Sequence, residues 1–156
     1  MTTTATTTAQ DLSCRKLSMP GMVFNITLSN AESNGSIVIA DFEAVPGCEP
    51  PRHIHTLEDE VFIIKEGTIT FFIGDDIVPA KEGDTVFLPK NIAHHFSITS
   101  DFLKAIVMAT PGNIEHFFRS IAMPYNGATV PPVQIPTQEE LTHFVKQTEA
   151  YGMQFV

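Results

Sequence analysis

Tryptophan is absent from this chain, tyrosine occurs twice, and cysteine occurs only as Cys14 and Cys48. Two thiols without CxxC spacing offer neither a disulfide framework nor a thiolate set for structural zinc, and they fit a reducing, cytoplasmic setting. Positive charge is scarce as well. Nine Lys and Arg stand against 18 Asp and Glu, a formal net charge of -9. Such a surface repels a phosphate backbone and an anionic bilayer, which argues against nucleic acid and membrane partners and leaves small organic molecules. No apolar run approaches the roughly 20 residues that span a hydrocarbon core. Residues 1–11, rich in Thr and Ala, lack the basic and apolar regions of a signal peptide and are expected to form a disordered tail. The Asn-x-Ser/Thr triplets at Asn25 and Asn34 therefore carry no expectation of glycosylation.

What the chain does have is apolar bulk: 43% of its 156 residues are hydrophobic, and twelve are Phe. That suffices for one domain with its own core, and neither a repeat nor a second domain is visible. From about residue 12 to 110, short β-type runs alternate with turn signals. Met22 to Leu28 and Ser36 to Val45 flank Ser33-Asn34-Gly35, whose Asn-Gly pair accepts positive φ. Glu60 to Lys65, Thr68 to Ile73, Ile77-Val78, Asp84 to Leu88, His94 to Thr99 and Leu103 to Thr110 follow, parted by Gly-, Pro- and Asn-containing turns. Many short strands at this spacing predict an all-β sandwich or closed barrel.

After Pro111-Gly112 the period changes. Ile114, Phe117, Phe118 and Ile121 recur at i, i+3, i+4 and i+7, the apolar face of a helix that Gly112 or Asn113 would cap. Residues 124–136 are Pro-rich and predict an extended strap. Thr137 to Glu140 is a capping-box pattern opening a second helix with Leu141, Phe144 and Val145 on one side. Residues 111–156 are thus expected to pack helices and strap on the barrel, with Phe117 or Phe118 placed to act as a lid.

The chemistry concentrates in a few side chains. His53-Ile54-His55 sets two imidazoles at i and i+2, on one face of a strand. Glu60 begins the next strand and can return its carboxylate to the same point. Glu58 and Asp59 compete for that role, Glu58 from an expected turn and Asp59 with the opposite strand parity. His94 heads a later strand, while His95 beside it points to the exterior or an interface. His116 and His143 read as ordinary solvated histidines, and Cys48 as a small, partly buried hydrophobe. Neutral imidazoles with one carboxylate suit Fe, Mn, Ni, Co or Zn better than Mg or Ca, which prefer oxygen. Alternation puts Phe62 and Ile64 on the face of Glu60, and Phe96 and Ile98 on the face of His94, predicting apolar substrate-binding walls around the ion.

Gly47-x5-His53-x-His55-x4-Glu60-x6-Gly67 resembles the first motif of the cupin superfamily at every defined position. Gly83-x5-Pro89-x-Asn91-x2-His94 is similar to the second motif, with Asn91 where the family usually has Gly and Ile98 where it usually has Asn. Asn tolerates the left-handed backbone that Gly would supply, and Ile98 replaces a structural polar residue rather than a ligand. Pro50-Pro51-Arg52, Glu58-Asp59-Glu60 and Thr110-Pro111-Gly112 resemble, more narrowly, the single-domain quercetin 2,3-dioxygenase-like cupins.

This resemblance covers about residues 21–110 and implies a jelly-roll barrel, or double-stranded β-helix. It implies one divalent transition metal held by His53, His55, Glu60 and His94, with open positions for water, dioxygen or a chelating substrate. The implied activity is dioxygenase-like, on a small aromatic or enol compound, with catalytic Glu60 either ligating the ion or accepting the substrate proton. A non-catalytic binding or sensing module is the alternative, as is a metal-dependent isomerase or lyase. Small cupins commonly pair, and spare strand edges want cover, so a homodimer is expected.

Overall fold

The computed structural model describes residues 14–156; the tail expected at residues 1–11 lies outside them. The strands are β1 (Lys16–Met19), β2 (Met22–Leu28), β3 (Val38–Ala44), β4 (His53–His55), β5 (Asp59–Glu66), β6 (Thr68–Ile73), β7 (Asp76–Lys81), β8 (Thr85–Leu88), β9 (His94–Ile98), β10 (Leu103–Thr110), β11 (Met123–Pro124) and β12 (Met153–Phe155). Two helices, α1 (Ile114–Ile121) and α2 (Gln138–Ala150), follow β10. The strands pair antiparallel in two sheets, ordered β11-β1-β2-β3-β10-β5-β8 and β12-β4-β9-β6-β7. This is the all-β architecture that the spacing of turns predicts, as the barrel that the resemblance implies, with the C-terminal helices expected from the apolar stripes.

Period-two alternation is what closes it. In β3, Val38, Ala40, Phe42 and Ala44 are buried while the residues between them are half-exposed, and β5 does the same with Glu60, Phe62 and Ile64. The inward faces meet in an aromatic layer: Phe62 of one sheet lies 5.1 Å from Phe71 and 5.9 Å from Phe96 of the other, ring centre to ring centre. Phe71 and Ile64 are almost wholly buried. Each such side chain contributes about 1.5–3 kcal/mol relative to exposure.

Several elements depart from the sequence reading for identifiable reasons. β7 runs on through Pro79, well beyond Ile77-Val78, because it is the edge strand of its sheet and a missing N–H there costs no ladder bond. The Asn34-Gly35 pair does adopt positive φ (55° and 84°), but in a longer loop between Leu28 and Val38 rather than a two-residue hairpin. Asn91 takes φ 64°, the left-handed backbone expected of it. Gly67 is required twice over: its φ is +86°, and a Cβ there would run into the carbonyl oxygen of Phe102.

The segment after residue 111 does more than pack on the barrel. β11 extends the first sheet by pairing with β1, and β12 pairs with β4. In α1, Asn113 is itself helical and makes no side-chain cap. In α2 the capping box forms: the Thr137 N–H donates to Glu140 Oε2 at 2.7 Å, and the Glu140 N–H donates to Thr137 Oγ1 at 3.3 Å. No helix among the described residues is long and apolar enough to cross a membrane.

Candidate metal centre

β4 is only three residues long, yet its alternation decides the site: His53 and His55 are buried and Ile54 between them is not. β9 lies beside it in register, His53 opposite His94. The three histidines are 7%, 2% and 2% exposed, and one nitrogen from each lies within 4.8 Å of the others. From the facing sheet, β5 brings Glu60 to the same place. Its Oε2 is 3.5 Å from Nε2 of His55 and 3.5 Å from Nε2 of His94. His95, one residue on, turns outward and stacks on Phe72 at 4.5 Å, as strand parity demands.

The imidazoles are oriented by their far nitrogens. His53 Nδ1 donates to the carbonyl of Pro51 at 2.8 Å, and His94 Nδ1 to that of Ile92 at 3.0 Å. A carbonyl only accepts, so in the neutral rings the proton sits on Nδ1 and Nε2 is a bare lone pair. The Nε2 atoms of His53 and His55 face each other at 3.1 Å, and Nε2 of His94 is buried without a hydrogen-bond partner among the described residues. The bare Nε2 lone pairs of His53 and His94, with His55 Nε2 and the Glu60 carboxylate, are aimed at one buried point where a cation could be shared. The donor set therefore fits a divalent transition ion.

Charge in the cluster is polarised accordingly. Burial, with smaller help from His55 and His94, pushes His53 down to about 4, so it is neutral at physiological pH. For His55 burial works against the charged form, but the carboxylates of Glu60 and Glu58 outweigh it and raise the pKa. Burial opposes ionisation of Glu60, yet His55 and His94 hold its carboxyl down to about 2.

Glu58 is the residue that sequence reasoning placed least well. Set aside as a turn residue, it is 1% exposed, with Oε2 3.7 Å from His55 Nδ1. The bend that carries it is pinned inward, since Thr56 donates to Gly152 O through both its N–H and its hydroxyl. Asp59, the other competitor, donates nothing to the cluster and instead accepts from the Lys90 N–H. Cys48 takes no part, and burial pushes its thiol up to about 12.

Phe62, Ile64, Phe96 and Ile98 do share the inward faces of Glu60 and His94, all four buried in the packed interior. The open space next to Glu60 is lined by others. Ala40, Val107 and Ala109 from the sheet, with Ile114 and Phe118 from α1, bound a cavity of about 20 Å³, room for one water-sized molecule. The second acid on that cavity, Glu115, is already engaged by the Asn30 N–H and by Arg119.

Comparison with known proteins agrees with this architecture. Residues 40–111 match the cupin domain family. Over 106 residues the chain is 26% identical to a quercetin 2,3-dioxygenase of Bacillus subtilis (strain 168); the match takes in 68% of this chain and 32% of that protein, so the chain spans about a third of its relative's length. Among solved structures, the cupin domain of Schizosaccharomyces pombe Cnp3 aligns with a TM-score of 0.54 at 14% identity, covering 67% of this chain and 74% of that one. KdgF from Halomonas sp. aligns with a TM-score of 0.53 at 15% identity, covering 60% and 81%.

Proposed function

With residues 40–111 a cupin domain, in a small barrel resembling the quercetinase-like proteins, we propose that this chain is a metal-dependent, dioxygenase-like oxidoreductase acting on a small aromatic or enol compound. The observation that carries the proposal is the convergence of His53, His55 and His94 with Glu60 beside an apolar space. His53, His55, Glu60 and His94 hold one divalent ion, of Fe, Mn, Ni, Co or Zn. Such an ion supplies Lewis acidity toward an enol oxygen and, where redox-active, access to dioxygen chemistry.

The chain's own groups do the rest. Glu60 stands ionised and serves as ligand or as acceptor of the substrate's hydroxyl proton. Phe62, Ile64, Phe96 and Ile98 form the apolar base beneath the ligands and keep water from entering below. The cavity admits little more than water, so entry of an aromatic ring requires α1, with Phe118, to swing away as a lid.

The test is oxygen consumption by protein loaded separately with Fe, Mn, Co and Ni, offered a panel of flavonols and related enols. Turnover that is lost in Glu60→Ala supports the reading; no oxygen uptake across the panel removes it. A binding or sensing role is the second reading, favoured by one observation: among the described residues, Glu60 is the sole titratable group on the cavity that is not already tied to a protein donor outside the cluster. Stoichiometric binding of unchanged ligand would select it, and oxygen-independent turnover would select an isomerase or lyase instead.

Two further features belong to the same proposal. A homodimer would cover the outward row Ile39, Met108, Val61 and Phe87, which runs in register across β3, β10, β5 and the edge strand β8, with Phe87 55% exposed. A solution mass equal to one chain would remove it. Free Cys14 and Cys48 accord with a cytoplasmic setting.

A further inference from the structure

Two of the three histidines owe their orientation to a carbonyl two residues back in the chain. His55 has no such partner. Among the described residues its Nδ1 is buried and unpaired, and so is Glu58 Oε2, 3.7 Å away, with side-chain exposures of 3% and 1%. A buried nitrogen without an acceptor and a buried carboxylate oxygen without a donor are each costly, and here each is what the other lacks. The gap exceeds hydrogen-bonding reach by roughly half an ångström, which small side-chain rotations close. Glu60 is on the far side of the ring, against Nε2, and cannot serve Nδ1.

We propose that Glu58 positions His55: its carboxylate accepts a hydrogen bond from the Nδ1–H of His55 and so fixes the tautomer whose Nε2 lone pair points at His53, His94 and Glu60. The proposal rests on the metal-centre reading but is separable from it, because the tautomer is a property of the protein itself. Glu58 is a positioning residue that touches neither ion nor substrate. A carboxylate behind an imidazole makes it a stronger electron donor than a carbonyl does, so His55 becomes the most firmly held ligand of the three.

The experiment compares the full-length wild-type chain with Glu58→Leu and Glu58→Gln. Imidazole 15N shifts at alkaline pH, metal-free and Zn(II)-loaded, report which nitrogen carries the proton, and chelator competition reports the Zn(II) affinity. In the wild type, His55 should carry its proton on Nδ1. The Leu variant should lose that preference at His55 alone, with His53 and His94 unchanged, and bind Zn(II) about 10- to 100-fold more weakly. The Gln variant, which keeps an acceptor but no charge, should retain the tautomer and lose less affinity. Should the Leu variant fail to fold, Gln carries the test: affinity equal to wild type overturns the proposal. An Nε2-protonated His55 in the wild type, or a Leu variant with unchanged tautomer and affinity, also overturns it. A chain that binds no Zn(II) while His55 still answers to Glu58 sinks the metal reading and leaves this one standing.

Discussion

Met153 sits opposite His55 in the antiparallel pair of β12 and β4, and Phe155 sits opposite His53. The three-residue strand that carries two of the clustered imidazoles is thus held between β12 on one side and β9 on the other. α2 leads directly into β12, which ties the stability of that helix to the precision of the site.

Thr137→Ala removes one half of the α2 capping box directly and leaves Glu140 without its hydroxyl partner. The expected cost is about 1 kcal/mol, local to α2. Amide hydrogen exchange should quicken in α2 and β12 while β10 keeps its protection; uniform exchange throughout would refute this coupling.

His55→Ala and His94→Ala should each abolish metal retention in elemental analysis of purified protein. His95→Ala, which removes the outward ring stacked on Phe72, should leave it intact. Equal loss in all three would mean that the inward cluster is not the binding site.

Added metal should raise the midpoint of thermal unfolding. At a free concentration of a hundred times Kd the gain is about 2.7 kcal/mol. It should vanish in His55→Ala, and titration by differential scanning calorimetry checks both statements.

Acid should weaken the metal-free protein through His53. Its folded pKa, about 4, lies below its ordinary 6.5, so between these values the unfolded chain takes up a proton that the folded one refuses. That stabilisation is complete above pH 6.5 and is lost as the pH falls through about 4. His55, whose pKa is raised, contributes in the opposite sense: its share is present below its ordinary value and is lost as the pH rises through the folded one. Unfolding midpoints measured from pH 6.5 down to 4 should therefore fall, and His53→Asn should flatten that slope.

Gly67→Ala meets both a positive φ and the carbonyl oxygen of Phe102. A loss of more than about 1 kcal/mol is expected in denaturant unfolding. A neutral substitution would show that the β5–β6 turn is looser than its geometry implies.

Much of this was legible from period and spacing. β2, β6 and β10 lie where the turn signals bound them, β5 and β9 follow their alternation, and His53, His55, Glu60 and His94 meet because strand parity leaves them no other face. What escaped depends on contacts distant in sequence. Glu58 is buried because Thr56 is pinned to Gly152, nearly a hundred residues on, and nothing local to residues 56–58 announces it. β12 is too short to show a period. Ala40 and Ala109 are featureless in sequence, and they bound a cavity only because α1 folds over them.

The carbonyls of Pro51 and Ile92 aim His53 and His94 from the main chain, which no amino-acid replacement deletes. The aim of those two rings is in that sense inherited with the backbone path, whereas the ring of His55 is flanked by a side chain, Glu58, that a single replacement removes.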